Sequence, residues 1–191
     1  MSEPREIKTP AIVLRRARLK EADRIITLFT RELGKVSALA RGVRKSTSKL
    51  AGHLETLNYA DVTLARGKNL HTIIGSQTLN PHLGVRSSLE RTSYALYFAE
   101  LVYLFTPEEQ PNIPVFELLA ETLESAGNTE NLELLSRYFE LCLLKTMGYQ
   151  PQLRVCISCG AELKAVTNYF SNTLGGTLCP NCAATATVQP V

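Results

Sequence analysis

Four cysteines near the end of the chain constrain its fold more than any other sequence feature. They form two Cys-x-x-Cys pairs, Cys156 with Cys159 and Cys179 with Cys182, separated by nineteen residues. Each pair presents two thiolates from one tight turn, and two such turns complete a tetrahedral site for a single ion. The spacing predicts a zinc ribbon at about residues 153–185, in which these four cysteines hold one structural zinc ion per chain. Because four protein ligands leave no open coordination position, we expect no metal catalysis there.

Three other interpretations of the cysteines remain open. The N-terminal residues contain no apolar segment of the signal-peptide type, so we expect a cytoplasmic chain, where structural disulfides are rare. A thioredoxin-type redox centre would need only one Cys-x-x-Cys pair. An iron–sulfur centre is the third alternative, because four thiolates also bind such clusters. Spacing and compartment together favour zinc.

Residues 8–80 have the composition of a small β-barrel. Segments rich in Val, Ile, Leu, Phe and Thr are joined by polar or glycine-containing turns, including a tight turn at Arg31–Gly34 and another at residues 66–69. The predicted strands are Pro10–Arg18, Ile25–Thr30, Lys35–Ala40, Thr56–Ala65 and Leu70–Leu79. A single helical turn is expected within Ser48–Leu54. Since no long helix separates the strands, we expect an OB-type barrel and not a parallel α/β sheet.

The hydrophobic period changes to a helical one after Gly84. Three helices are expected, at about residues 89–105, 114–126 and 131–147. Pro107 and Pro111 separate the first two. The sequence therefore predicts an α+β multidomain chain, with an OB-fold domain at residues 1–80 and a helical domain carrying the ribbon at residues 81–191.

Positive charge is concentrated in the first half. Residues 1–80 hold 15 Lys and Arg against 7 Asp and Glu, a balance of +8, whereas residues 81–191 hold 6 against 11, a balance of −5. Five cations and no acid fall within fifteen residues after the second predicted strand: Lys35, Arg41, Arg44, Lys45 and Lys49. Alone, such a run is equally typical of a solvated loop and of an anion site. Its position beside the third strand of an expected OB barrel favours a nucleic-acid site.

No motif of an enzyme active site is evident. The chain contains no P-loop, no Gly-x-Gly-x-x-Gly and no Gly-x-Ser-x-Gly sequence, and its three histidines lack the spacing of a ligand set. A run of 18 apolar residues, as a membrane span would need, is also missing from the sequence. We therefore expect a binding protein that is neither an enzyme nor a membrane protein.

These features together resemble the RecO family of bacterial recombination mediators. The resemblance covers roughly residues 9–182 and is carried by the following segments: Glu21–Val36, Ala40–Lys45, Ser48–Leu50, Tyr138–Leu141, Gly148–Pro151 and the four cysteines. It implies an OB barrel, a helical domain and a zinc ribbon. It also implies binding of single- and double-stranded DNA, annealing of complementary strands and, with RecR, loading of RecA onto strands coated by single-stranded-DNA-binding protein (SSB). Carried over by residue, DNA contacts fall on Arg41, Arg44, Lys45, Lys49 and Lys35, and metal ligands on the four cysteines.

Two departures from the family pattern are visible. Lys20 stands where the family often has Gly, and the chain ends nine residues past Cys182, where family members commonly continue with more helix. In the family the C-terminal tail of SSB contacts the helical part. The resemblance implies DNA repair in the cytoplasm, in association with the nucleoid. Two alternatives remain: a zinc-containing adaptor for protein partners and an RNA-binding OB module.

Overall fold

Five strands form an OB-like barrel in the first part of the chain, and the computed structural model describes residues 5–67, 70–185 and 189–190. The strands are β1 (Glu6–Arg18), β2 (Arg24–Thr30), β3 (Gly34–Ala40), β4 (Tyr59–Ala65) and β5 (His71–Asn80). Their order is β1-β2-β3-β5-β4, and β4 pairs back to β1. The β3–β5 seam is the weakest, because it is parallel and its described pairing comprises Ala38 with His71 and Leu39 with Thr72. The predicted fold class, an α+β chain that begins with an OB-like sheet, is confirmed.

Alternating side chains fill the barrel interior. Along β4, Ala60, Val62 and Leu64 are buried while their neighbours are half-buried, as a strand with one interior face requires. In β1 the pairing register with β2 shifts between Val13 and Arg15, and four consecutive residues, 11–14, are buried on the two sides of the bend. Burial of a Val, Leu or Ile side chain contributes about 1.5–3 kcal/mol, so this interior is a main source of barrel stability.

Three connections between the strands can be compared with the expectations from the sequence. Gly34 has φ +71°, as the tight turn after β2 requires, and an added Cβ there would lie 2.0 Å from the Gln110 carbonyl oxygen. The helical turn expected within Ser48–Leu54 is a 3-10 turn at Gly52–Leu54. Of the expected turn at residues 66–69, Lys68 and Asn69 lie outside the described residues.

Three helices follow: α1 (Leu89–Phe105), α2 (Ile113–Asn128) and α3 (Leu132–Thr146). Ser88 and Asn112 cap the first two, because their side-chain oxygens accept the Arg91 and Val115 amide protons at 3.2 and 3.1 Å. The chain divides into two compact units, Met1–Phe139 and Glu140–Val191, so α1 and α2 belong to the same unit as the barrel. The expected domain boundary at residue 80 stays a prediction. None of the described helices is long and apolar enough to cross a membrane.

The second unit contains a small sheet and a short helix. Its elements are β6 (Tyr169–Ser171), β7 (Gly176–Leu178), α4 (Pro180–Ala183) and β8 (Gln189–Pro190), with strand order β7-β6-β8. Within the described residues, Cys156, Leu178 and Ala183 form one buried hydrophobic cluster of this unit. A cluster of this size contributes little stability by itself, so additional cross-linking at this site would matter.

Candidate nucleic-acid interface and metal centre

The basic loop after β3 is held in place by backbone and side-chain hydrogen bonds. The Gly42 amide, at φ +61°, donates to an Asp23 carboxylate oxygen at 2.7 Å, and the Arg44 amide donates to the Ala22 carbonyl at 3.0 Å. A tight turn follows, in which the Lys45 amide donates to the Gly42 carbonyl at 3.0 Å. The loop is therefore tied to the segment between β1 and β2, 19 or more residues earlier in the chain.

Four of the five predicted cations lie exposed on this loop: Arg41, Arg44, Lys45 and Lys49. One guanidinium nitrogen of Arg44 donates to the Glu21 carbonyl oxygen at 2.6 Å, which orients the side chain and leaves its charge uncompensated. Within the described residues, the ion pairs to carboxylates do not include any of these four. A group of exposed, unpaired cations on a fixed loop presents a positive potential to an approaching polyanion.

Lys35 is placed differently from the sequence-based expectation. Its side chain is only 8% exposed, its Nζ donates to the Tyr103 carbonyl oxygen at 2.6 Å, and Glu108 lies 3.4 Å away. The same ammonium group sits 4.6 Å from the centre of the Tyr103 ring. Because Val36 and Ala38 point into the barrel, Lys35 points outward, where the C-terminal end of α1 covers it. We therefore expect these contacts, and not DNA, to engage the ammonium group, and the DNA-contact set proposed below leaves Lys35 out.

A groove of about 320 Å³ runs beside the basic loop. Arg44 and Lys45 line it from the loop, and Arg16 and Arg24 line it from strands β1 and β2. Apolar side chains, including Val43, form part of its wall. Reasoning from the sequence missed the two strand arginines. Arg16 lies in a basic run, residues 15–20, that was interpreted only as the end of a strand and a polar connection, and Arg24 lies outside any such run. The signal that could have found them is the pairing of β1 with β2. In that register residue 16 is opposite 26 and residue 18 is opposite 24, so Arg16 and Arg24 lie near each other on adjacent strands.

The four cysteine sulfurs converge in the second unit. All four lie within 4.8 Å of one another, and the Cys159 and Cys179 sulfurs are 3.9 Å apart. The first turn is closed by hydrogen bonds from the Cys156 amide to the Ala161 carbonyl and from the Gly160 amide to the Cys156 carbonyl, both 2.8 Å. Gly160 has φ +73°, a conformation that favours glycine. In the second turn, Cys179 precedes α4, and its carbonyl accepts the Ala183 amide at 3.0 Å.

This donor set fits a single zinc ion. Tetrahedral Zn–S bonds of about 2.3 Å place sulfurs about 3.8 Å apart, close to the observed separation and far beyond a disulfide bond. The backbone amides of Cys179 and Cys159 lower the pKa of Cys156 to about 6. The Ser158 hydroxyl lowers the pKa of Cys182, but hydrogen bonds with the other thiols outweigh it and raise that pKa to about 12. The first of the four thiols thus loses its proton easily, whereas the last one resists deprotonation. A bound divalent cation would stabilise all four thiolates together.

The fold and the two sites define a class of protein. An OB-like barrel bearing a cationic loop, in one chain with four converging cysteines, is typical of nucleic-acid-binding proteins that also carry a metal-binding cluster. The chain belongs to the RecO family: the family profile described as Recombination protein O N terminal matches residues 1–82, and that described as Recombination protein O C terminal matches residues 86–190.

Individual relatives agree with this assignment. A DNA repair protein RecO from Dehalococcoides mccartyi is 47% identical over 191 residues, which covers 100% of this chain and 76% of the relative. Proteins of the same name from Roseiflexus and Pelotomaculum thermopropionicum are 43% and 40% identical over 179 residues, 94% of this chain and 63% and 69% of theirs. Membership in this family supports a role in recombinational DNA repair.

Proposed function

We propose that this protein binds single- and double-stranded DNA through the basic loop and anneals complementary strands. The observation that carries the proposal is the set of four exposed loop cations without carboxylate partners in the described residues. The phosphates of two DNA strands repel each other, which opposes annealing. Cations that neutralise phosphates reduce this repulsion without recognising particular bases. The protein would thus act by binding and not by catalysis of a chemical step.

Salt dependence follows directly from this mechanism. If each of the four cations neutralises one phosphate of a single strand, the slope of log affinity against log salt is about −3. Affinity for oligonucleotides of unrelated sequence should be similar, because phosphate contacts carry no sequence information. Competition between DNA and RNA of equal length would separate this function from that of an RNA-binding module.

The decisive variant replaces Arg41, Arg44 and Lys45 together by Ala. We expect it to keep its thermal stability, because the three side chains are exposed, and to lose three-quarters of the salt slope together with most of its DNA affinity. A triple change of Lys145, Arg154 and Lys164 to Ala is the matched control, since it removes the same charge from exposed positions of the second unit. Equal loss of affinity in both variants would contradict the assignment of the site.

We further propose that Cys156, Cys159, Cys179 and Cys182 hold one structural zinc ion, which supports the fold of the second unit.

The partners expected from the family are RecR, the C-terminal tail of SSB and, indirectly, RecA. Annealing of complementary strands coated with SSB, measured with and without RecR, tests this part of the proposal. An adaptor whose DNA affinity is incidental would not accelerate annealing of bare strands by itself.

A further inference from the structure

The groove beside the basic loop contains an internal ion pair. Its described lining includes four cations, Arg16, Arg24, Arg44 and Lys45, and a single carboxylate, Glu55. That carboxylate accepts a hydrogen bond from the Arg16 guanidinium and forms an ion pair with it. The acid therefore neutralises one cation in the groove, whereas the other three have no carboxylate partner in the part of the chain that the structure describes.

Arg16 is held in position independently of Glu55. Its Nε donates to the Thr56 hydroxyl at 3.2 Å, and its side chain is 23% exposed, so the guanidinium has a fixed place at the groove wall. Glu55 is more exposed, at 46%, and follows the 3-10 turn at Gly52–Leu54. A carboxylate that is already about half exposed can turn into solvent at little cost, whereas the strand arginine cannot follow it.

Carboxylate and phosphodiester oxygens are alternative partners for the same guanidinium geometry. We propose that Glu55 occupies a phosphate subsite on Arg16 when DNA is absent, and that a phosphate of the bound strand displaces it. The inference rests on the proposed function and extends the DNA path from the basic loop into the groove. Glu55 then lowers DNA affinity, because a phosphate of the strand must compete with the Glu55 carboxylate for Arg16 before the strand can enter the groove.

Replacing Glu55 by Gln tests the competition, with a fluorescein-labelled oligothymidine as the probe. Removal of the carboxylate charge should tighten binding about twofold to fivefold, the range expected for an exposed ion pair. Asp61→Asn is the matched control, because it makes the same change in net charge at a surface pair with Lys8, 3.4 Å away, that lies outside the groove lining. An equal gain in both variants would show a general charge effect and overturn the inference.

A double-mutant cycle isolates Arg16. With Arg16 replaced by Gln, the Glu55→Gln change should no longer tighten binding, and the salt slope for single strands should fall by about 0.7, the value of one phosphate contact. If Arg16→Gln does not fold, Arg16→Lys keeps the charge but loses the planar fork, and should retain only part of the coupling. A gain from Glu55→Gln that persists without Arg16 would overturn the inference.

The inference and the proposed function fail in different ways. If Glu55→Gln binds like the unmodified chain while the triple loop variant loses affinity, the groove subsite is wrong and the basic loop stands. If the unmodified chain does not bind the probe at all, both are overturned. Thermal unfolding of every variant shows whether a change in affinity reflects the site or the fold.

Discussion

Replacing Lys35 by Met separates packing from DNA binding at a position that sequence alone assigns to DNA. Methionine fills a similar volume, so no cavity is expected. The Tyr103 carbonyl oxygen belongs to the last turn of α1, where carbonyls lack helical partners, and α1 carries no basic residue in that turn. Lys35 therefore supplies both a hydrogen bond and a positive charge at the C-terminal end of the helix.

The cost of the substitution can be built from these contacts. Leaving the carbonyl unpaired costs about 1–3 kcal/mol. Loss of the cation over the Tyr103 ring adds about 0.5–1 kcal/mol, and the pair with Glu108, which is 57% exposed, adds little. We expect Lys35→Met to lower the free energy of unfolding by about 2–3 kcal/mol in urea titration, since these contributions overlap. DNA affinity at a temperature where the variant is folded should not change.

Lys49→Met is the reciprocal control. Lys49 is exposed on the basic loop, so its replacement should change stability by less than about 0.5 kcal/mol while weakening DNA binding. Fluorescence anisotropy and urea unfolding on the same two preparations give both readouts. A Lys35→Met protein that keeps its stability and loses DNA affinity would refute the packing role, and would return Lys35 to the DNA-contact set.

Two further predictions concern pH and metal. Burial lowers the pKa of His82, which is 4% exposed and donates from Nδ1 to the Leu57 carbonyl at 2.8 Å. The unfolded chain therefore binds its proton first, and stability should fall as pH drops below about 6.5 toward the lower folded-state pKa. His82→Asn should flatten that dependence between pH 7 and 5, because Asn tolerates the φ of 46° and can donate to the same carbonyl. Purified protein should contain one zinc ion per chain, and chelation should make residues 153–185 protease-sensitive while leaving barrel DNA binding intact.

For the pH prediction and for the metal prediction, a specific result would contradict the reasoning. An identical pH profile for the His82→Asn variant would show that other groups set the acid sensitivity. Cys142→Ser is the control for the metal, because Cys142 lies outside the cluster and should leave the zinc content unchanged, whereas Cys182→Ser should reduce it. Elemental analysis that finds no zinc in either the unmodified chain or the control would contradict the metal assignment.

Local patterns in the sequence were sufficient for most of the secondary structure and for the convergence of the four cysteines. Strand alternation, turn glycines such as Gly34 and the helical period after Gly84 depend on neighbouring residues, so most elements could be predicted. Their ends were less exact, since β1 begins four residues before the predicted Pro10 and β4 three residues after the predicted Thr56. The Cys-x-x-Cys spacing likewise implies two tight turns, and the sulfurs do meet within 4.8 Å. Barrel closure between β3 and β5 depends on a short pairing between distant segments, which no local pattern encodes.

The tertiary structure decided whether each cation is buried or exposed and which groups it contacts. The sequence determined that Lys35 and Lys49 are both basic residues of one run, and that the run follows a strand hairpin. Only the fold placed the first beneath α1, against Tyr103, and left the second in solvent. Only the fold brought Arg16 and Arg24 beside the loop. The physical reason is that the residue type sets the charge of a side chain, whereas its exposure and its ion pairs depend on which surfaces folding brings together.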